Sequence, residues 1–224
     1  MEVDVSSNLK AIKATLPEGV ELVAISKYHI AEHVMKAYDA GQRIFGESRE
    51  QELVEKAEKM PKDISWHFIG HLQRNKVKYI APFIDMIHSM DSPRLLAEIN
   101  KQAAKCNRTI KVLLQLHIAD EETKFGMTLD ECREMLEEGS WRQYANIHIA
   151  GIMMMASNVD DRNQIRSEFQ LASDFFDELK AKYFASDDSF CCRSWGMSHD
   201  YDLAVECNSN MVRVGTAIFG EREY

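Results

Sequence analysis

The stretch "ELVAISKYH", residues 21–29, decides between two possible folds. Its apolar centre, Val23 to Ile25, is typical of a buried strand, and helical periodicity begins directly after His29. A doubly wound open sheet that binds a nucleotide carries a glycine-rich turn, G-x-G-x-x-G, after its first strand. Here "SKYH" stands at that place. The stretch therefore favours a closed barrel over an open sheet.

The same alternation of a short apolar run and a longer helical stretch continues along the chain. The candidate strands are residues 21–26, 43–47, 65–70, 86–90, 110–118, 148–156, 189–196 and 211–215. Strands separated by single helices build a parallel sheet, and eight such units in about 200 residues match the lower size limit of a barrel. We predict a single (β/α)8 TIM barrel domain over residues 1–224. An extra N-terminal helix, with Val5, Leu9, Ile12 and Leu16 on one face, precedes it.

Three helix starts are predicted from capping signals. Ser48 with Gln51, and Thr128 with Glu131, have the spacing of a capping box. Ser92 is followed by a proline, which is favoured at the first position of a helix.

The charge and cysteine content narrow the class of protein. The chain has 224 residues and a net charge of -9, so it lacks the surplus of cations that binds nucleic acid or an anionic membrane. No apolar stretch reaches the roughly 18 residues of a membrane span. Five cysteines without C-x-x-C, and a start without a signal peptide, predict free thiols in the cytoplasm. The pairs His29/His33 and His67/His71 have no accompanying carboxylates, so no metal site is predicted.

Two glycine–hydroxyl turns predict a phosphate site. In such barrels the active site lies at the carboxyl ends of the strands, and phosphate binds after strands seven and eight. "GMSHD" (196–200) follows strand seven and contains Ser198; "RVGTAIFG" (213–220) follows strand eight and contains Gly215 and Thr216. Each turn offers a glycine, which lets an anion approach the backbone N–H, and a hydroxyl. Taken alone, Ser198 is also explained as a helix cap, and Gly215 as a glycine that allows a tight turn.

Lys27 ends the first strand, which closes the barrel against the eighth. Its amine should therefore lie beside the phosphate site, and the pair suits a phosphorylated aldehyde held as a Schiff base. A free lysine has a pKa of about 10.4. We expect partial burial and the nearby Arg213 to lower the pKa of Lys27. A lysine that extends to solvent from the strand end is the alternative.

The motifs together resemble those of the pyridoxal phosphate homeostasis proteins, the YggS/PROSC family. They are "SK" at the end of strand one, "FGES…QE" (45–52), "WHFIGHLQRNK" (66–76), "ETKFGM" (122–127), "GIMMMA" (151–156), "GMSHD" and "MVRVGTAIFG" (211–220). The resemblance covers nearly the whole chain. It implies a barrel like the N-terminal domain of alanine racemase, with pyridoxal 5'-phosphate (PLP) bound to a lysine. Family members bind, buffer or hand over PLP and affect the balance of amino and keto acids.

The resemblance also implies roles for individual residues. Lys27 matches the Schiff-base lysine, and Arg213 matches the arginine that faces the pyridine nitrogen. The remaining matches are Ser198, Gly215 and Thr216 with the backbone of Met197 for the phosphate, Met153 near the ring, Lys124 as a second amine, and His67, Gln73 and Asn75 in a signature without an assigned role. Two positions depart from the family pattern: Ser48 replaces a common asparagine, and Asn208 replaces a glycine.

Three functions remain open at this point. An arginine cannot accept a proton from the ring nitrogen, so the cofactor would be a weaker electron sink. Since Tyr224 comes directly after the eighth unit, we expect no second domain of the racemase kind. The first hypothesis is a PLP carrier that serves apo-enzymes, as a monomer or weak dimer. The second is a weak PLP-dependent racemase or lyase with His67 or His199 as base. The third is a phosphosugar barrel in which Lys27 is an aldolase-type amine.

Overall fold

The computed structural model describes residues 3–118 and 125–221. Its eight parallel strands close into a barrel in chain order, and β1 pairs with β8. The strands are β1 (Glu21–Ile25), β2 (Ile44–Glu47), β3 (Ser65–Phe68), β4 (Met86–Met90), β5 (Ile110–Gln115), β6 (Ile147–Met153), β7 (Cys192–Ser194) and β8 (Met211–Val214). The predicted single (β/α)8 barrel is confirmed.

Helices surround the barrel. They are α1 (Val5–Thr15), α2 (Ala31–Asp39), α3 (Glu50–Lys59), α4 (Val77–Ile80), α5 (Pro93–Lys105), α6 (Leu129–Glu138), α7 (Arg162–Tyr183), α8 (Tyr201–Glu206) and α9 (Thr216–Phe219), with 3-10 turns at Arg74–Lys76 and Ser140–Gln143. The first of them is the predicted extra N-terminal helix, which buries Val5 and Leu9. Within the described ranges, none of the helices combines the length and the apolar character needed to cross a bilayer.

Two apolar layers form the core. The larger one lies between the strands and the helices, and the smaller one fills the barrel. The buried members of the inner layer are Val23, Ile25, Met86, Leu113, Ala150, Met153 and Met211. Side chains fill the barrel interior as in other barrels of this size, so ligands can enter only at its ends.

Several predicted strands extend too far at their carboxyl ends. The fifth and sixth were predicted to reach residues 118 and 156, whereas β5 ends at Gln115 and β6 at Met153. Leu116, Met154 and Ala156 remain buried beyond the last ladder position. Apolar character therefore continues into the loops, which cover the end of the barrel, and periodicity alone does not mark where the ladder stops.

Two of the three predicted helix caps are confirmed. The Ser92 side chain caps α5, and Thr128 with Glu131 forms a complete capping box on α6. The capping box at Ser48 is wrong, because α3 begins after Arg49 without a side-chain cap. The backbone of Ser48 instead approaches Gly70 so closely that a Cβ there would lie 2.4 Å from the Ser48 carbonyl oxygen. Ser48 therefore packs against Gly70, and the helix begins only after the next residue, Arg49.

Candidate functional site

A cavity of about 330 Å³ opens at the carboxyl ends of the strands. Six of the seven predicted site residues line it, namely Lys27, Met197, Ser198, Arg213, Gly215 and Thr216. They come from β1, β7 and β8 and the loops that follow these strands. Because β1 closes the barrel against β8, the two ends of the chain meet at one site.

The seventh predicted residue, Met153, lies one layer deeper. It is buried in the inner core at the last position of β6, and Met155 lines the cavity instead. Residues two apart on a strand point to the same side. Both side chains therefore follow the interior of the barrel, but only the later one reaches the cavity.

The turns after β7 and β8 are hydrogen bonded to each other. The Gly215 N–H donates to Ser198 Oγ at 3.3 Å. A Cβ at residue 215 would lie 3.1 Å from the Ile25 carbonyl oxygen, so glycine lets this turn approach β1. Thr216 begins α9, whose first N–H groups have no acceptor within the helix. Hydroxyls and free amides converge here, as an anion site requires.

Met197 and Ser198 differ from expectation in their hydrogen bonds. The Met197 N–H donates to the buried Asp200 carboxylate, which occupies the amide predicted to face the phosphate. Ser198 does not start a helix, since α8 begins at Tyr201. The Ser198 hydroxyl lines the cavity and accepts from the Gly215 N–H, and it can still donate a hydrogen bond to a ligand.

Arg213 is fixed at the floor of the cavity. It is buried, and its Nη1 donates to the carbonyl oxygen and Oγ of Ser194 at 2.8 and 2.7 Å. Its Nη2 donates to the Met154 carbonyl oxygen at 2.9 Å. Burial lowers the pKa of the guanidinium to about 10, which leaves it charged at neutral pH. A rigid cation that can only donate hydrogen bonds thus faces the cavity.

A buried histidine pair continues from Arg213 into the barrel. Ser194 Oγ lies 3.1 Å from His88 Nδ1, and His88 Nε2 lies 2.9 Å from His67 Nδ1. Burial lowers the pKa of His67 to about 3 and that of His88 well below its ordinary value. Sequence reasoning missed His88 and Ser194. The available signal was a polar residue within an otherwise apolar strand, as in "MIHSM".

The signature segment after β3 lies beside the cavity. His71 lines the cavity and stacks on Phe125 with ring centroids 4.0 Å apart. Gln73 and Asn75 are exposed and line a separate groove of about 750 Å³. Their side chains therefore do not reach the cavity that holds Lys27. Lys124 lies outside the described residues.

Gln115, at the end of β5, is a cavity residue that the sequence did not single out. Its Nε2 donates to the Phe125 carbonyl oxygen at 2.9 Å. Its Oε1 is buried and has no hydrogen-bond partner among the described residues. An amide in an apolar strand was again the only available signal.

The fold and this cavity define a barrel of the alanine racemase type. The family model "Alanine racemase, N-terminal domain" matches residues 4–223. An alanine racemase of Clostridium difficile superposes with a TM-score of 0.79 at 15% identity, and the match covers 100% of this chain and 59% of that chain. At this identity the likeness shows a shared fold.

Nearer relatives narrow the assignment. The structures of PipY from Synechococcus elongatus, without PLP and with PLP bound, superpose with TM-scores of 0.90 and 0.87. Each is 32% identical and covers 96% of this chain and 100% of PipY. The pyridoxal phosphate homeostasis protein of Aquifex aeolicus is 35% identical over 91% of this chain and 88% of its own length. The pyridoxal phosphate homeostasis protein of Vibrio alginolyticus is 38% identical over 93% of this chain and 89% of its own length. The chain belongs to the family of pyridoxal phosphate homeostasis proteins.

Proposed function

We propose that this chain binds PLP and acts in PLP homeostasis as a carrier. The observation that carries the proposal is the shared cavity, which is lined by Lys27, by Arg213 and by the turns that contain Ser198, Gly215 and Thr216. A volume of about 330 Å³ is within the usual range for a cofactor pocket. The names of the relatives and the PLP-bound PipY structure support the same ligand.

The donor set of the cavity fits each part of PLP. The Ser198 hydroxyl and the amides at the start of α9 suit the phosphate, and Arg213 suits the pyridine nitrogen. When bound, PLP supplies an aldehyde that condenses with a primary amine, releasing one water, and a ring that withdraws electrons. Lys27 supplies that amine and so retains the cofactor by a covalent bond.

Arg213 favours a carrier over an enzyme. Its guanidinium donates to three protein acceptors, and toward a ring nitrogen it can likewise only donate a hydrogen bond, which requires the lone pair of that nitrogen. The nitrogen it faces is therefore kept unprotonated, which weakens the electron sink that carbanion chemistry needs. We propose cytoplasmic apo-enzymes as the acceptors, and a monomer or weak dimer as the working form.

One observation supports the second candidate, a weak racemase or lyase. His199 is exposed and lines the cavity, where it is placed to move a proton. His67 does not suit this role, because burial keeps its pKa at about 3 and it lies below the cavity. Sustained turnover of an amino acid that is lost in His199→Ala would favour the enzyme.

The test of the carrier combines reduction with transfer. Wild-type protein incubated with PLP is treated with borohydride, and peptide mass spectrometry should locate one pyridoxyl group on Lys27. Lys27→Ala should lose both the visible absorbance and the label, whereas Lys59→Ala, which removes an exposed amine, should keep them. Loaded wild-type protein should also restore activity to an apo-transaminase.

Three results would contradict the proposal. Labelling of several surface lysines without preference would show that the cavity does not select PLP. Retention of PLP in the presence of excess apo-transaminase would exclude delivery. A covalent adduct with a phosphosugar, but not with PLP, would favour the aldolase-type alternative.

A further inference from the structure

The two peptide units that flank Lys27 are both held by side chains of α3. Lys56 Nζ donates to the Ser26 carbonyl oxygen at 2.7 Å. The Tyr28 N–H donates to Glu52 Oε1, also at 2.7 Å. One bond therefore lies just before Lys27 and the other just after it.

Buried charges connect these two contacts. Lys56 Nζ lies 2.7 Å from Glu52 Oε1 and 2.7 Å from Glu47 Oε1. Glu47, at the end of β2, is fully buried and accepts a hydrogen bond from Ser26 Oγ at 2.6 Å. We call Glu47, Glu52 and Lys56 the clasp. Because the Lys56 amine is buried, its charge depends on these two carboxylates for compensation.

The segment held by the clasp is in an uncommon backbone conformation. Tyr28 has a φ of 66°, which residues other than glycine rarely adopt. The Arg49 guanidinium lies 4.8 Å from the centre of the Tyr28 ring. Such backbone conformations persist where the surroundings hold them. The β2–α3 unit thus contacts the turn that carries Lys27 at four groups. These are the hydroxyl and carbonyl of Ser26 and the N–H and ring of Tyr28.

A second ion pair on the same helix shows what an ordinary contact looks like. Glu55 and Lys59 have the same spacing as Glu52 and Lys56, but both are exposed and they bond only to each other in the described structure. Either ion pair would stabilise the helix α3 itself. Contact with the backbone around Lys27 distinguishes the buried one.

We propose that Lys56 and Glu52 are positioning residues that hold the Lys27 amine toward the cavity and so set how firmly the protein retains PLP. The inference rests on the proposed function, since it concerns the same lysine. Glu47, Glu52 and Lys56 are not among the residues that line the cavity. The clasp acts through the two peptide units on either side of Lys27.

The test compares Glu52→Ala with Glu55→Ala. Glu52 is the most exposed member of the clasp, so its removal should cost less stability than removal of Glu47 or Lys56. We expect the dissociation rate of PLP to rise about tenfold in Glu52→Ala, the size expected when one member of a hydrogen-bond network is lost. The pH titration of the adduct's absorbance should also shift. Glu55→Ala should match the wild type in both, and Glu52→Gln, which keeps an acceptor for the Tyr28 N–H, should recover much of the retention.

Lys56→Met with Lys59→Met as its control repeats the comparison at the other peptide unit. If Lys56→Met does not fold, the Glu52 variants alone test the inference. A Glu52→Ala protein with a lowered unfolding midpoint but an unchanged dissociation rate and spectrum would overturn the inference. If the wild type itself forms no adduct at Lys27, the proposed function fails; if it does and the clasp variants behave like their controls, only the inference fails.

Discussion

Ser198 Oγ accepts a hydrogen bond from the Gly215 N–H at 3.3 Å, which joins the turn after β7 to the turn after β8. The two turns are 17 residues apart in sequence. They form one edge of the cavity because adjacent parallel strands end at the same face of the barrel. Lys27 follows β1, the neighbouring strand of the closed sheet, in the loop two residues after the strand ends.

The first prediction concerns Ser198. Ser198→Ala removes a hydroxyl from the anion site, and a hydrogen bond to a charged group contributes about 1.5–3 kcal/mol. The affinity for PLP should therefore fall by roughly tenfold or more. Pyridoxal lacks the phosphate, so its affinity, measured by the same absorbance titration, should not change. An equal loss for both ligands would show that Ser198 does not act on the phosphate.

The second prediction concerns Arg213 and the stability of the folded protein. Arg213→Met removes the donor to the Met154 carbonyl oxygen and leaves the Ser194 carbonyl oxygen with the Met154 N–H alone. We expect the free energy of unfolding in urea to fall by about 3 kcal/mol. Arg162→Met is the control, because among the described residues the Arg162 side chain forms an exposed ion pair with Asp202 alone, and it should cost less than about 1 kcal/mol. Similar costs would contradict the structure.

The third prediction is the pH dependence caused by the buried histidines. Burial lowers the pKa of His67 to about 3 and that of His88 well below its ordinary value. Below about pH 6.5 the unfolded chain binds protons at these positions and the folded protein does not. The free energy of unfolding should therefore decrease as the pH falls from 6.5, by up to about 1.4 kcal/mol per pH unit for each histidine.

Glu47 affects the pH dependence of the free energy of unfolding in the opposite direction to the two histidines. Burial raises its pKa to about 7, so the folded protein takes up this proton before the unfolded chain does. Its contribution to the free energy of unfolding grows as the pH falls through 7. Glu47→Gln should consequently make the decrease toward acid pH steeper. NMR of the imidazoles provides the direct check, and a His67 resonance that titrates near pH 6.5 would contradict the assignment.

The fourth prediction concerns the close approach of β6 and β7. A Cβ on Gly151 would lie 1.9 Å from the Cys192 carbonyl oxygen, so Gly151→Ala must force the two strands apart. We expect a loss of about 3 kcal/mol or more in the free energy of unfolding. Gly41 has a φ of 92°, but a Cβ at this position would meet no described atom within 4 Å, so Gly41→Ala should cost only about 1–2 kcal/mol. Equal costs would show that backbone conformation, not the contact, decides.

The sequence predicted the barrel well and its local boundaries less well. The strand order and the caps at Ser92 and Thr128 follow from local patterns, and the structure has them. The capping box at Ser48 was wrong because a contact with Gly70, distant in sequence, sets the path of the chain. The ends of β5 and β6 were misplaced because the covering loops are as apolar as the strands.

By itself the sequence determined the alternation of strands and helices, and with it the meeting of Lys27, Arg213 and the two glycine turns at one end of a barrel. The tertiary structure alone decided that Met155 and not Met153 reaches the cavity, since both face inward and only height along the barrel separates them. It also brought Lys56 to the carbonyl oxygen of Ser26, 30 residues away. That contact depends on how α3 packs on its strands, and no local pattern encodes it.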